Sequence, residues 1–198
     1  MKKIVAVSFA LLVSAALPAL AAPPAPQPQG LPQPKILIID QNMVLQGSKV
    51  GQDIGRQVQA LTGQARNDLQ AQGKALQAEG NALQQQIAIL SADAKASKVK
   101  AFEAKQAALQ AQAAKKEGLI QGGLYQARQA IAQALGPILK QLLDQRGANM
   151  ILEKNAVLMA TDGRFDITPQ AIDLLNQKMP TYKVQLVALP PGMQAPGQ

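Results

Sequence analysis

The run LQAQGKALQAEGNALQQQIAILSADAKAS, from Leu69 to Ser97, places a leucine at every seventh position: Leu69, Leu76, Leu83 and Leu90. Gly73, Gly80 and Ile87 follow at four residues after the first three of them, which completes a heptad seam along one face of a helix. Glycine costs about 1 kcal/mol inside a helix, so two on one seam either mark the close approach of another helix backbone or fall there by chance. The large apolar residues then lapse across Ser91 to Ser97, SADAKAS, and the spacing predicts that the helix reverses in that segment, at a tip near 91–97.

Beyond the tip the period changes. Leu109, Ile120, Ile131 and Leu142 recur every eleven residues, accompanied by Ala113, Leu124 and Leu135 and by Lys116, Ala127 and Ile138. Eleven residues over three turns is 3.67 per turn, so this helix stays straight or twists slightly right-handed. Two registers in one zone argue against a single uniform coiled coil. The zone as a whole runs from Ser48 to about Gly147, is rich in Ala and Gln, and has no proline before Pro137. Folded at its middle it gives two arms of roughly equal length, about 65–70 Å each at 1.5 Å per residue. Pro137 predicts a kink or a division of the second arm near its entry to the rest of the fold. Gly122-Gly123 reads either as a flexible joint or as a mark of tight packing.

A helical hairpin brings its two ends together, and both ends carry β-rich sequence. Lys35-Ile-Leu-Ile-Ile39, Asn149-Met-Ile-Leu152, Ala156-Val-Leu-Met-Ala160 and Val184-Gln-Leu-Val187 read as short strands. Thr168 reads as an N-cap with Pro169 at the first helical position, opening an amphipathic helix through Ile172, Leu175 and Met179. The expected fold class is therefore α+β, mainly α: a long antiparallel hairpin (48–147) on a small body (35–47 and 148–188). About 50 residues of body bury too little apolar surface and leave sheet edges open, so oligomerisation is expected to complete it.

The chain ends point to export. Lys2 and Lys3 precede the apolar run Ile4 to Leu17, and Ala19-Leu20-Ala21 offers the small-x-small pattern of signal cleavage before Ala22. The apolar run is shorter than the roughly twenty residues a bilayer span needs, and no Cys follows it for lipid attachment. Residues 1–21 are thus expected to be a cleavable signal peptide, 22–34 a Pro-rich disordered linker, and 189–198 a disordered tail. The whole chain carries 20 basic and 12 acidic residues, a net charge of +8, and no Cys, His or Trp.

Those absences narrow the chemistry. Without His the commonest general base and transition-metal ligand are missing, and no nucleophile, phosphate-loop or metal-ligand spacing is present. Asp40 and Glu153, both at strand ends, could come close, but two carboxylates without a further cluster do not make an active site. The reading is a non-enzyme without cofactor. Positive charge favours acidic partners or anionic lipid surfaces, and export makes nucleic acid an unsuitable one. Lys95, Lys98, Lys100 and Lys105 gather near the tip, where they could touch acidic clients or anionic headgroups, or serve only to solvate it. Phe102 beside them could meet a client or pack between the arms.

Three segments resemble the Skp/OmpH family of periplasmic chaperones for outer-membrane proteins. Lys35-Ile-Leu-Ile-Ile-Asp40-Gln-Asn-Met-Val-Leu45-Gln is similar to that family's first strand and its turn into the arm. Met150-Ile-Leu-Glu-Lys-Asn155-Ala156-Val157 is similar to its paired-strand segment, and Phe165-Asp166-Ile167-Thr168 with Ile172, Leu175 and Asn176 to its closing helix. The resemblance spans about 35–187. It implies a homotrimer with a β-barrel-like body, three helical arms around a cavity, and ATP-independent holding of unfolded outer-membrane proteins in the periplasm. Lipopolysaccharide is a further partner the resemblance suggests, although the basic residues proposed for it in some members have no counterpart that aligns here. The arms are more Gln- and Ala-rich than is usual in that family. An envelope spacer or adaptor that captures no unfolded chain is the alternative.

Overall fold

The structure, a computed structural model, describes residues 33–192. The expected signal peptide, the linker up to residue 32 and the tail from 193 lie outside the described residues.

Strand β1, Ile36–Ile39, is a β-branched run with three of its four residues buried. It pairs in parallel with β2, Met150–Glu153, in the register Ile36↔Met150 to Ile39↔Glu153. A parallel pair needs a long crossover, and here the crossover is the whole helical hairpin. A single parallel bridge, Ile38↔Asp166, continues the ladder on the other side of β1.

The chain leaves β1 not through a simple turn but through a short helix, α1, Gln41–Gly47. Asp40 caps it, its Oδ1 accepting from Met43 N at 2.8 Å. Ser48 ends α1 and starts α2, Lys49–Gln86; its buried Oγ accepts from Gly51 N at 3.1 Å. Asn176 Oδ1 accepts from Lys49 N at 2.7 Å, so a second donor at the start of α2 is satisfied from elsewhere in the fold. A 3₁₀ turn over Ile87–Ile89 and residues Leu90 and Ser91 reverse the chain into α3, Ala92–Arg146. Gly147, at φ 58°, ends α3 in the left-handed conformation that glycine adopts without strain.

Several expectations are corrected at this point. The reversal occupies 87–91, and Ala92 to Ser97 already form the first turns of α3. The SADAKAS stretch lacks large apolar residues, but alanine is the strongest helix former and Ser91 Oγ accepts from Ala94 N at 3.4 Å as a cap. The arms are unequal, 38 residues against 55, because α3 runs on into the body. Pro137 does not divide α3. It lies on the exposed face, where the carbonyl it leaves without a partner can be hydrated. Ala156 to Ala160 is not a strand: Lys154–Ala156 forms a 3₁₀ turn, and Leu158 and Met159 project into solvent with no ladder to join. Val184 to Val187 joins no strand ladder.

The closing helix α4, Thr168–Lys178, begins one residue earlier than the capping pattern suggested, with Thr168 itself in the first turn. The Thr168 hydroxyl is engaged elsewhere, accepting from Asp40 N at 2.9 Å, and Asp166 Oδ1 takes over the capping role by accepting from Thr168 N at 2.9 Å.

The core is not confined to the body segments. Leu37, Ile39 and Val44 pack with Val50 and Ile54 of α2, with Ile131, Leu135, Ile138 and Leu142 of α3, and with Ile167 and Leu175 around α4. The roots of both arms thus supply apolar surface that the count of some fifty body residues had left out.

Candidate functional site

Above the core the two arms touch through a narrow stripe. Leu69, Gly73, Leu76, Gly80, Leu83, Ile87 and Leu90 are half-buried, while every other residue from Arg66 to Ile89 is exposed. On α3 all ten positions of the eleven-residue pattern are buried or half-buried, from Leu109 and Ala113 down to Ile138 and Leu142. The seam is thinner than two close-packed backbones would make it. Nothing approaches Gly73, and what approaches Gly80 is the ring of Phe102, its Cζ 2.9 Å from where a β-carbon would stand. Phe102 thereby packs between the arms.

Charge reinforces the stripe. Lys98 Nζ donates to Gln86 Oε1 at 2.9 Å, Lys105 pairs with Glu79 at 2.5 Å and Lys116 with Asp68 at 2.9 Å, all from α3 to α2. Two of the four tip lysines are therefore used to stitch the hairpin. Lys95 and Lys100 are exposed and form no ion pair among the described residues. At the reversal itself Ile89 is 85 % exposed. Sequence reading passed over it, although its place outside the heptad, between Ile87 and Leu90, was the available signal.

Gly122 and Gly123 lie within unbroken α3 and both are buried. Where their β-carbons would stand there is already backbone: Val187 O at 1.9 Å and Gln185 O at 2.2 Å. The geometry supports close packing against an extended segment, not a joint. That segment is also held from α2, where Gln57 Nε2 donates to Tyr182 O at 2.7 Å and Gln57 Oε1 accepts from Val184 N at 2.9 Å. No motif marked Gln57 in advance.

The sheet edge offers a second surface. An open groove of about 820 Å³ runs beside β1, with Ile36, Ile38, Leu152, Val157, Met159 and Phe165 among its walls. Met159 and Phe165 are exposed along it, and Met150 and Leu158 are exposed elsewhere in the body.

The carboxylates of the body have structural duties. Asp40 and Glu153 meet at the start of α1, where Asp40 caps Met43 and Glu153 Oε1 accepts from Gln41 N at 2.9 Å. Glu153 Oε2 is buried without a hydrogen-bond partner. Lys154 Nζ contacts Asp166 Oδ2 at 3.0 Å, and that hydrogen bond, with Asp166's charge, raises the Lys154 pKa. Partial burial pushes the Asp166 carboxyl up. Hydrogen bonds from the Thr168 hydroxyl and N–H and from Lys154 outweigh it and leave the carboxyl below the usual range. Among the described residues no group of three or more acidic side chains is placed to hold a metal ion, and no helix is long and apolar enough to cross a membrane.

Residues 35–175 match the family model described as "Outer membrane protein (OmpH-like)". A crystal structure from Caulobacter crescentus CB15, described as a candidate OmpH-like outer membrane chaperone, superposes with a TM-score of 0.72. It shares 21 % identity over 81 % of this chain and 94 % of that one, which is a likeness of fold. No curated protein matches the sequence.

Proposed function

The chain belongs to the OmpH-like family, the Skp family of non-enzymatic outer-membrane-protein chaperones, and from that premise we propose that it is a periplasmic holdase. In this reading the apolar run before Ala22 exports it and is removed. Three copies then associate through their bodies, and the helical arms enclose unfolded outer-membrane proteins without ATP. The observation that carries the reading is the family match over residues 35–175, which takes in the long hairpin and the body segments on either side of it.

Physical chemistry supports it. Unfolded membrane β-barrel segments alternate apolar and polar side chains. The arms offer many half-buried Leu, Ile and Ala side chains along the seam, each able to bury apolar surface at roughly 25 cal/mol per Å² without a fixed sequence register. Residues 48–146 hold 13 basic and 7 acidic side chains, a net of +6, and such a field speeds capture of acidic clients at low salt. Lys95, Lys100 and Ile89 are the tip residues free to meet a client or an anionic lipid or lipopolysaccharide surface.

Dilution of a urea-unfolded outer-membrane protein into buffer tests the proposal. The purified protein is expected to keep that client soluble, less effectively as salt rises. Unchanged client aggregation beside a well-formed oligomer would instead favour the envelope spacer.

A further inference from the structure

Residues 182–189 cross from one arm to the other at a definite height. On α2 the Gln57 carboxamide acts like a piece of strand edge, donating to Tyr182 O at 2.7 Å and accepting from Val184 N at 2.9 Å. Asp53 holds that carboxamide in place, its Oδ2 accepting from Gln57 Nε2 at 2.8 Å and from Tyr182 N at 3.4 Å. On α3 the same segment lies directly on the backbone at Gly122 and Gly123, and Val184 fills the gap between with only 7 % of its surface exposed. A methyl group on either glycine would need the backbone of the segment to move, since its carbonyl oxygens stand 1.9 and 2.2 Å from the β-carbon positions.

The height is where the character of the hairpin changes. Below it Ile54, Ala127 and Ile131 belong to the buried core. Above it no residue of α2 from Gly55 to Gln86, and none of α3 from Ala92 to Leu119, is buried. Two helices held only by a half-buried stripe and exposed ion pairs, each pair contributing about 0–1 kcal/mol, have little of their own to fix the angle between them. Glycine costs about 1 kcal/mol per position in a helix, a cost the packing of the strap offsets.

We propose that the 182–189 strap is a clamp at the arm roots, tying α2 to α3 so that it sets how far the free arms spread. This goes beyond the chaperone reading and does not depend on it, because the spread is a property of the protein without client.

The chain has no cysteine, so a pair of spin labels can be placed without competing thiols. Gln77→Cys and Gln110→Cys lie on opposite arms beside one groove, and full-length protein so labelled, diluted into unlabelled protein, reports the inter-arm distance. Gly122→Ala with Gly123→Ala is expected to lengthen and broaden that distance by lifting the strap, and Gln57→Ala to do so to a smaller degree. A chain ending at Thr181 should give the widest distribution. If the glycine pair acted as a joint, the Ala variants would instead narrow the distribution, and that result overturns the proposal. So does an unchanged distance in the Gln57→Ala and truncated proteins with helicity retained; these two variants keep the test decisive should the double Ala protein fail to fold.

Discussion

Asp166 joins three elements through one residue. Its backbone bridges to Ile38 of β1, its Oδ1 accepts from the first turn of α4, and its Oδ2 meets Lys154 just after β2. Because its carboxyl sits below the ordinary range in the folded protein, linkage gives the sign of its effect. The stabilisation is fully present above the unfolded-state pKa of about 3.9 and is lost as pH falls through the lower folded value. Asp166→Asn keeps the shape and removes the charge. It is expected to cost about 1 kcal/mol at neutral pH, the usual scale of a helix-start acceptor. It should also flatten the loss of stability on acidification below pH ~4, where the ionised carboxyl would otherwise be titrated. Urea denaturation at neutral and acid pH reads both effects, and an equal loss at both would show that the charge is not what matters. Phe102 is a residue-scale case of a different kind. It is half-buried against Gly80, so Phe102→Ala should cost about 1 kcal/mol, roughly half the value of full burial. That loss should appear as faster amide exchange in the distal arms while the body remains protected.

At the level of elements, the two long helices were legible because periodicity survives in sequence whatever the partner. The heptad at Leu69 to Leu90 and the eleven-residue pattern from Leu109 to Leu142 mark the faces that the structure turns inward, half-buried on the heptad and half-buried to buried on α3. The limits of those elements were less so. SADAKAS reads as a gap in hydrophobicity but is a good helix start, and the reversal fell instead in the apolar IAIL. Helix α1 was hidden because seven residues are too few to establish a period. Val157 to Ala160 and Val184 to Val187 have strand composition, but composition does not supply a neighbouring strand, and neither joins a ladder in the single chain. Gly122 and Gly123 stayed ambiguous for a similar reason: whether a glycine pair bends or receives a neighbour depends on a segment some sixty residues away. Pro137 allows a direct check on element-scale reasoning. The helix passes through it with the proline on the exposed face, so it retains the intrinsic cost of a helix-interior proline without a buried contact to offset it. Pro137→Ala is expected to stabilise the protein by up to ~3 kcal/mol relative to proline. An unchanged urea midpoint would mean that the body already compensates for the missing hydrogen bond.

For the whole molecule, the decisive surface is the one the single chain leaves open. The core drawn from the arm roots packs against α1, α4 and the strands, yet β2 has no second strand partner among the described residues and an open groove of about 820 Å³ lies beside β1. Met159 and Phe165 expose large apolar side chains along that groove, and Met150 and Leu158 are exposed as well. Grouping of this kind is a mark of association surfaces more than of solvated ones. Ala156 to Ala160, with strand composition and no partner, is the segment best suited to pair across a subunit boundary. If the proposed trimer is built there, Leu158→Asp with Met159→Asp places charge in the interface. Neither residue touches the core of its own chain, so the helical signal in circular dichroism should stay intact while light scattering reports a monomer. Suppression of client aggregation should fall with the trimer, because a single hairpin encloses no cavity. A trimer that withstands both substitutions would move the interface elsewhere, and a folded monomer that still protects its client would separate holding from assembly.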